Sequence, residues 1–280
     1  MLDIVIIYDY IYNYQSISTK LFMDFEGRKR FILNRLEECG TVQIQEITEK
    51  CAISDVTARR DLATIEVQGL LSRIHGGAIK SRSADSMFSY DKKALLNREQ
   101  KMMIAAAAAP FVEEKDRIYI DCGTTVYLLG RYLSKYENLR VITNSLPVVS
   151  DLIFHTGIRV YLLGGELDNK RRAMYGPMSE NMIRYYRARK AFIGAGGVSL
   201  ADGLSAGNEK EASITRMMAQ AADTVYLLCD SSKIEKNDFV HYAPLEMIDY
   251  LITDRMDPEL VAAYEKQQIK VIISENQNST

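Results

Sequence analysis

The sequence predicts a mixed α/β protein in two parts, a small helical unit closed by a hairpin and a larger unit built on a mainly parallel sheet. Three observations carry this. Between Gly27 and Lys80, apolar residues recur at helical spacing in three short segments, and a β-prone stretch with a turn follows. From residue 99 onward, short apolar runs alternate with helical stretches, the pattern of a parallel sheet covered on both faces. Between them, residues 81–98 lose clear periodicity and read as a linker. With 280 residues, 47% of them apolar, the chain can bury real cores without disulfide or metal staples.

Residues 1–24 come first. The stretch MLDIVIIYDYIYNYQSISTKLF is apolar and rich in tyrosine, but Asp3 and Asp9 interrupt it and no basic residue precedes it. It falls short of the roughly 20 apolar residues needed to span a bilayer. The expectation is an extension ahead of a start at Met23, neither targeting signal nor membrane anchor. In RKRFILNRLEECG, Ile32, Leu33 and Leu36 share a face and Gly40 stops the helix; QEITEKCAI supplies a second. Ser54 then offers an N-cap hydroxyl, with Asp55 in the first turn to favour the helix dipole.

Along this third helix, Ala58, Leu62 and Ile65 form a buried stripe. Arg60 lies nearly opposite, with Val56 beside it and Arg59 on the flank. QGLLSRIHGGAIK reads as a hairpin, or wing. Three helices and a hairpin in this order make a winged helix-turn-helix domain over residues 25–80, with the helix-turn-helix at 42–61. Arginine can bond guanine in pairs and Thr57 can reach a base or a phosphate, while Arg73 and His75 would add backbone contacts. The DNA-contacting set is therefore Ser54, Val56, Thr57, Arg59, Arg60, Arg73 and His75. Total charge is no guide: the chain carries a net −2, and residues 25–82 hold ten basic against eight acidic side chains, a balance of +2. Arrangement has to do the selecting.

In the larger domain, residues 99–256, the strands are RIYID, LRVIT, RVYLLGG, KAFIGAGG, TVYLLCD and YLITD; KVIIS lies in a C-terminal helix and strand at 257–280. Ligands in such sheets bind beyond the carboxyl ends of the strands. RIYID runs into CGTT and then a helix, so Gly123, Thr124 and Thr125 form a candidate anion cradle. LRVIT runs into Asn144, and TVYLLCD into Asp230 and Lys233. With Gly164 and Gly165 after VYLL and Gly194, Gly196 and Gly197 after KAFI, five such strand tips point to a small phosphorylated or polyhydroxy ligand.

Four cysteines without CxxC spacing and three scattered histidines argue against a metal site, and free thiols without a signal sequence point to the cytoplasm. GAGGVS fails the dinucleotide pattern because Ser199 stands where the last glycine belongs, so no cofactor is expected.

SDVTARRDL (54–62) and GLLSRIHGGA (69–78) resemble the DNA-binding signature of the DeoR family of transcriptional regulators, with Ala58 where the family usually has isoleucine. The resemblance spans residues 25–256. DCGTT, TNS, LGG, GAGGVS, NEKEA and DSSK are similar to the recurring pieces of that family's sensor domain, whose fold resembles ribose-5-phosphate isomerase and glucosamine-6-phosphate deaminase. The resemblance implies an effector pocket lined by Asp121, Gly123, Thr124, Thr125, Asn144, Glu209 and Lys233. It implies a repressor of a sugar operon acting on double-stranded operator DNA as a dimer or tetramer, without membrane contact. Asp91 departs from an arginine common in the family. The alternative is a sugar-phosphate isomerase or deaminase using Asp121, Glu209 or Asp230 as base; the attached DNA-reading domain argues for a non-enzyme.

Overall fold

The computed structural model describes residues 23–67, 70–80, 90 and 93–274. Expectations for residues 1–22, for linker positions 81–89 and 91–92 (Asp91 among them) and for 275–280 lie outside these. The chain divides into two compact units at Phe88/Ser89.

In the first unit, α1 (Phe25–Cys39) starts on Asp24, whose carboxylate accepts from the Gly27 amide, and stops at Gly40 in the left-handed region. A short strand the sequence reading did not contain, β1 (Thr41–Gln43), leads into α2 (Ile44–Cys51) and α3 (Asp55–Val67). The wing strands β2 (Leu71–Ile74) and β3 (Gly77–Lys80) then pair antiparallel, with β1 on the far side of β3. HGGA has a steric reason at this junction. Gly76 takes φ +87° in the turn, and a Cβ on Gly77 would sit 2.2 Å from the Val42 carbonyl oxygen.

Ile32, Leu36, Ile47, Ala58, Leu62 and Ile65 make the core of this unit. Asp61 lies within the same buried face of α3. Its carboxylate takes two hydrogen bonds from Arg28 of α1, at 2.6 and 3.2 Å, with the two side chains only 14% and 7% exposed.

The second unit opens with α4 (Arg98–Ala108) and holds a seven-stranded sheet. Its strands are β4 (Arg117–Ile120), β5 (Leu139–Thr143), β6 (Ile158–Leu162), β9 (Ala188–Ile193), β12 (Ala222–Leu228), β14 (Tyr250–Thr253) and β15 (Lys270–Ile273). Their spatial order is β15-β14-β12-β9-β4-β5-β6, and every pairing is parallel. Strand β15 is thus one edge of this sheet and β6 the other.

Alternate residues feed two cores. Ile118, Ile120, Val141, Phe192 and Ile252 pack with α4, the 3-10 turns Val126–Tyr132 and α5 (Leu146–Leu152). Tyr119, Ala191, Ile193, Leu227 and Leu251 pack with α6 (Pro177–Tyr185), α7 (Glu209–Gln220) and α8 (Pro258–Lys266). Two features went unread. One is the hairpin β7–β8 (Glu166–Asp168, Ala173–Tyr175); the other is a small antiparallel sheet of β10 (Gly197–Ser199), β11 (Gly203–Ala206) and β13 (Val240–Ala243). The segment after CGTT is a run of 3-10 turns and not the α-helix expected.

Asp61→Ala leaves the Arg28 charge part-buried and without its carboxylate. The cost falls between that of an exposed pair, under ~1 kcal/mol, and that of a fully buried one, about 3–5 kcal/mol. Urea unfolding followed by a probe in the first unit should therefore show a lower midpoint, and an unchanged midpoint would deny the pair its clamping role.

Candidate functional site

In the first unit, the Ser54 hydroxyl accepts from the Thr57 amide at 3.2 Å and meets the Thr57 hydroxyl at 2.9 Å, closing the start of α3. Ala58, Asp61, Leu62 and Ile65 face inward. Outward stand Val56, 76% exposed, with Arg59 and Arg60. Arg59 bonds Asp55 one turn back at 2.8 Å, an exposed pair of the kind that exchanges readily for another anion. The Arg60 guanidinium has no partner among the described residues.

The wing's Arg73 donates its amide and Nε to Glu66 of α3, at 2.8 and 2.6 Å, which holds that carboxylate below its usual range and fixes strand β2 to the helix. Arg59, Arg73 and His75 line one groove of about 310 Å³ between α3 and the wing. Of the seven residues read from sequence, none is consumed by the core.

In the second unit, connections leave β4 toward β5 and β6 on one side, and the rest of the sheet builds from β9 on the other. The switch therefore falls between β4 and β9, where strand ends part and leave a crevice. A cavity of about 220 Å³ lies there, lined by Asp121 and Gly123–Val126 after β4, Gly194–Gly196 after β9, and Asp230 and Lys233 after β12. The amides of Gly123, Thr124 and Thr125 donate to no acceptor among the described residues. The Thr125 hydroxyl is buried at the cavity wall without a hydrogen-bond partner. Open amides beside an orphaned hydroxyl are what an oxygen-rich anion would satisfy.

Asp121, Gly123, Thr124, Thr125 and Lys233 are brought together there. Asn144 and Glu209 are placed elsewhere. Asn144 is fully buried and its amide donates to the Met174 carbonyl at 3.2 Å, fastening hairpin β7–β8 to the end of β5. Glu209 is exposed at the start of α7, on a separate groove shared with Arg184, Arg187 and Arg216.

Five charged lining residues escaped the sequence reading: Lys93, Lys101, Arg171, Glu211 and Asp238. Glu211 carried a signal. Asn208 caps α7 by accepting from the Glu211 backbone amide at 2.9 Å, and the Asn208 side-chain amide donates back to the Glu211 carboxylate, a relative of the capping box whose spacing is legible in NEKE. That turn aims Glu211 at Arg171, 2.6 Å away. Arg171 sits between β7 and β8, invisible without the hairpin. Lys93 and Leu96 also line the cavity, so part of the segment read as linker to residue 98 is cavity wall.

Most charges are engaged. Burial pushes the Asp121 carboxyl up, while amides of Cys122 and Gly194 donate to it at 2.7 and 3.1 Å. Burial likewise raises Glu211, partly offset by Arg171. At Asp230 burial is outweighed by hydrogen bonds from Ser232 and Asn97 and by the Lys233 ammonium, so it stays below the usual range. The Lys233 ammonium donates to the Ala195 carbonyl at 2.7 Å. Lys101, 3% exposed, is brought down to about 8 by burial and by the like charges of Lys233 and Lys93, against the pull of Asp230. Among the described residues, no cluster of His, Cys, Asp and Glu is placed to hold a metal ion, and no helix is long and apolar enough to cross a membrane.

Residues 28–84 match the DeoR-like helix-turn-helix domain and residues 96–255 the DeoR C terminal sensor domain. The lactose phosphotransferase system repressor of Staphylococcus epidermidis is 39% identical, over 79% of this chain and 88% of that one. The HTH-type transcriptional repressor GlcR of Bacillus subtilis is 35% identical, over 82% and 89%. Among solved structures, ribose 5-phosphate isomerase A of Methanocaldococcus jannaschii aligns with a TM-score of 0.38 at 20% identity, over 50% of this chain and 56% of that one.

Lys101 gives a pH signature. The folded unit releases this proton near 8, whereas the unfolded chain keeps it to 10.5. Between those values the unfolded state binds more protons, so this group makes stability rise with pH. Chemical denaturation from pH 8 to 9.5 should show that rise in the native chain and lose it in Lys101→Met; identical pH profiles would place the ammonium in solvent.

Proposed function

Because the chain belongs to the DeoR family of transcriptional regulators, we propose that it is a repressor of a sugar-metabolism operon. Its first unit reads operator DNA, and the cavity in its second unit binds a phosphorylated sugar or related metabolite. The single observation that carries this reading is Arg60, exposed and without a partner among the described residues, on a helix whose opposite face is locked by Ala58, Asp61, Leu62 and Ile65. In a major groove that guanidinium suits the O6 and N7 of guanine. Val56 reaches a base edge, while Ser54, Thr57, Arg59, Arg73 and His75 hold the backbone and set the register.

One such helix reads too few base pairs to be selective, so the working form is a homo-oligomer, a dimer or tetramer, acting on DNA in the cytoplasm. In the cavity, the Gly123–Thr125 amides and Lys233 take the phosphate and Asp121, Glu211 and Arg171 face the hydroxyls. Effector and DNA are coupled by a free energy of about 1–3 kcal/mol, typical of such switches.

The cavity works as a sensor and not as an enzyme. Turnover would need a free carboxylate beside the sugar carbons. Of the three carboxylates the sequence offers as a base, Asp121 is held by two amides, Asp230 by Ser232 and Asn97, and Glu209 stands outside the cavity; Glu211 is paired with Arg171, and Asp238 is the remaining lining carboxylate.

Arg60→Ala should weaken binding to the duplex upstream of the chain's own gene by about 1–3 kcal/mol in gel shifts and leave effector affinity unchanged. Lys233→Ala should do the reverse, with sugar phosphates scanned by calorimetry. If no sugar phosphate alters the gel shift of the native protein, the sensor role fails; swapped phenotypes would mean the two units have been assigned the wrong tasks.

A further inference from the structure

We propose that the rim of the large sheet opposite the cavity, at the amino ends of its strands, is a second contact surface for duplex DNA, gripping phosphates without reading sequence. The choice of partner rests on the DNA-binding reading above; the surface itself does not. Arg117 of β4 pairs in register with Arg140 of β5, and Arg140 with Arg159 of β6. On the other flank Lys190 of β9 pairs with Ile118, which sets Arg189 level with Arg117. Residues level with one another in a parallel sheet project from the same face. Four adjacent strands therefore raise one arginine each in a single row.

All four arginines are exposed. Lys115, Arg117, Arg140 and Arg189 line one surface cavity of about 390 Å³ with Asn138, and no acid lines it. Arg189 has company in Asp116 at 3.2 Å and Glu113 at 3.7 Å, and Asp223 of β12 lies level with it. The guanidinium groups of Arg117, Arg140 and Arg159 have no partner among the described residues. Like charges set directly opposite on neighbouring strands destabilise a sheet. A bound polyanion would turn that repulsion into attraction.

The row favours a long anion over a small one. It runs past the cavity to Arg159, and three strand spacings span about 14 Å. Over that length a duplex carries about eight phosphate charges, at one per ~1.7 Å. Tyr161, two residues beyond Arg159 on the same face, is half-buried against the Tyr186 ring at 5.5 Å and gives the row a firm floor.

The test uses the full chain and a duplex of arbitrary sequence, titrated at several salt concentrations. Arg117→Ser/Arg140→Ser/Arg159→Ser should lower the slope of log affinity against log salt by about 2–3, since each lost phosphate contact removes about 0.9. Lysine at the same three positions should restore it. Arg59→Ala/Arg60→Ala should lower the slope separately, and its failure to do so would count against the helix-turn-helix reading and not against this rim. Three outcomes overturn the proposal: an unchanged slope in the serine variant, lysine behaving like serine, or a loss that tracks a change in oligomeric state by light scattering, which would make the rim a subunit interface.

Discussion

The Arg28–Asp61 pair is the constraint on which the DNA-reading face depends. If α3 is to offer Arg60 to a groove, as proposed, its rotation about its own axis has to be settled; the buried stripe of Ala58, Leu62 and Ile65 sets it and the ion pair adds a directional tie. A two-pronged, nearly dry ion pair does not slide. It ties the middle of α3 to the start of α1 and leaves Arg59 and Arg60 on the exposed side of the helix. Glu66 and Arg73 repeat the device at the wing, more exposed and so more yielding. Ala58, where the family usually carries isoleucine, is nonetheless fully buried. The smaller side chain still lies in the core, beside the ion pair.

In the larger unit the governing constraint is topological. A sheet that grows outward in both directions from its first strand must leave a gap where the directions part, and the backbone amides turned loose there need partners. Asp121 answers part of that need by accepting from Cys122 and Gly194, just past the ends of β4 and β9. What it leaves open, the Gly123–Thr125 amides and the Thr125 hydroxyl, defines the cavity. Here the acid works first as a structural tie and only second as a lining group.

Most of this was legible in the sequence because periodicity survives wherever an element has one buried face. The helices of the first unit and the strands of the large sheet lie where their apolar runs put them. Legibility failed where short pieces bury little. The three-residue strands β1, β7, β8 and β10 have no period to detect, and they bring in Arg171 and complete the wing. The helix expected after CGTT is wound as 3-10 turns, a difference in hydrogen-bond spacing that composition does not encode. Glu209 and Glu211 are two residues apart at a helix start, and only the capping geometry separates the exposed one from the cavity-lining one. Asn144 is placed in the pocket by the family resemblance; in the structure its side-chain amide holds a hairpin.

That hairpin makes the cavity wall a composite. Strand tips held by the sheet supply one part, and pieces outside it supply the other, namely Arg171 between β7 and β8 and Lys93 with Leu96 ahead of α4. The hairpin is itself anchored, by the Asn144 amide and by its buried Ala173 and Tyr175 side chains. Glu211 is tied twice, since one carboxylate meets the Asn208 side chain at the helix cap and balances the Arg171 guanidinium. A substitution at Lys93 or Leu96 can therefore reshape the wall without touching the sheet, whereas one at Glu211 disturbs a helix start and an ion pair together.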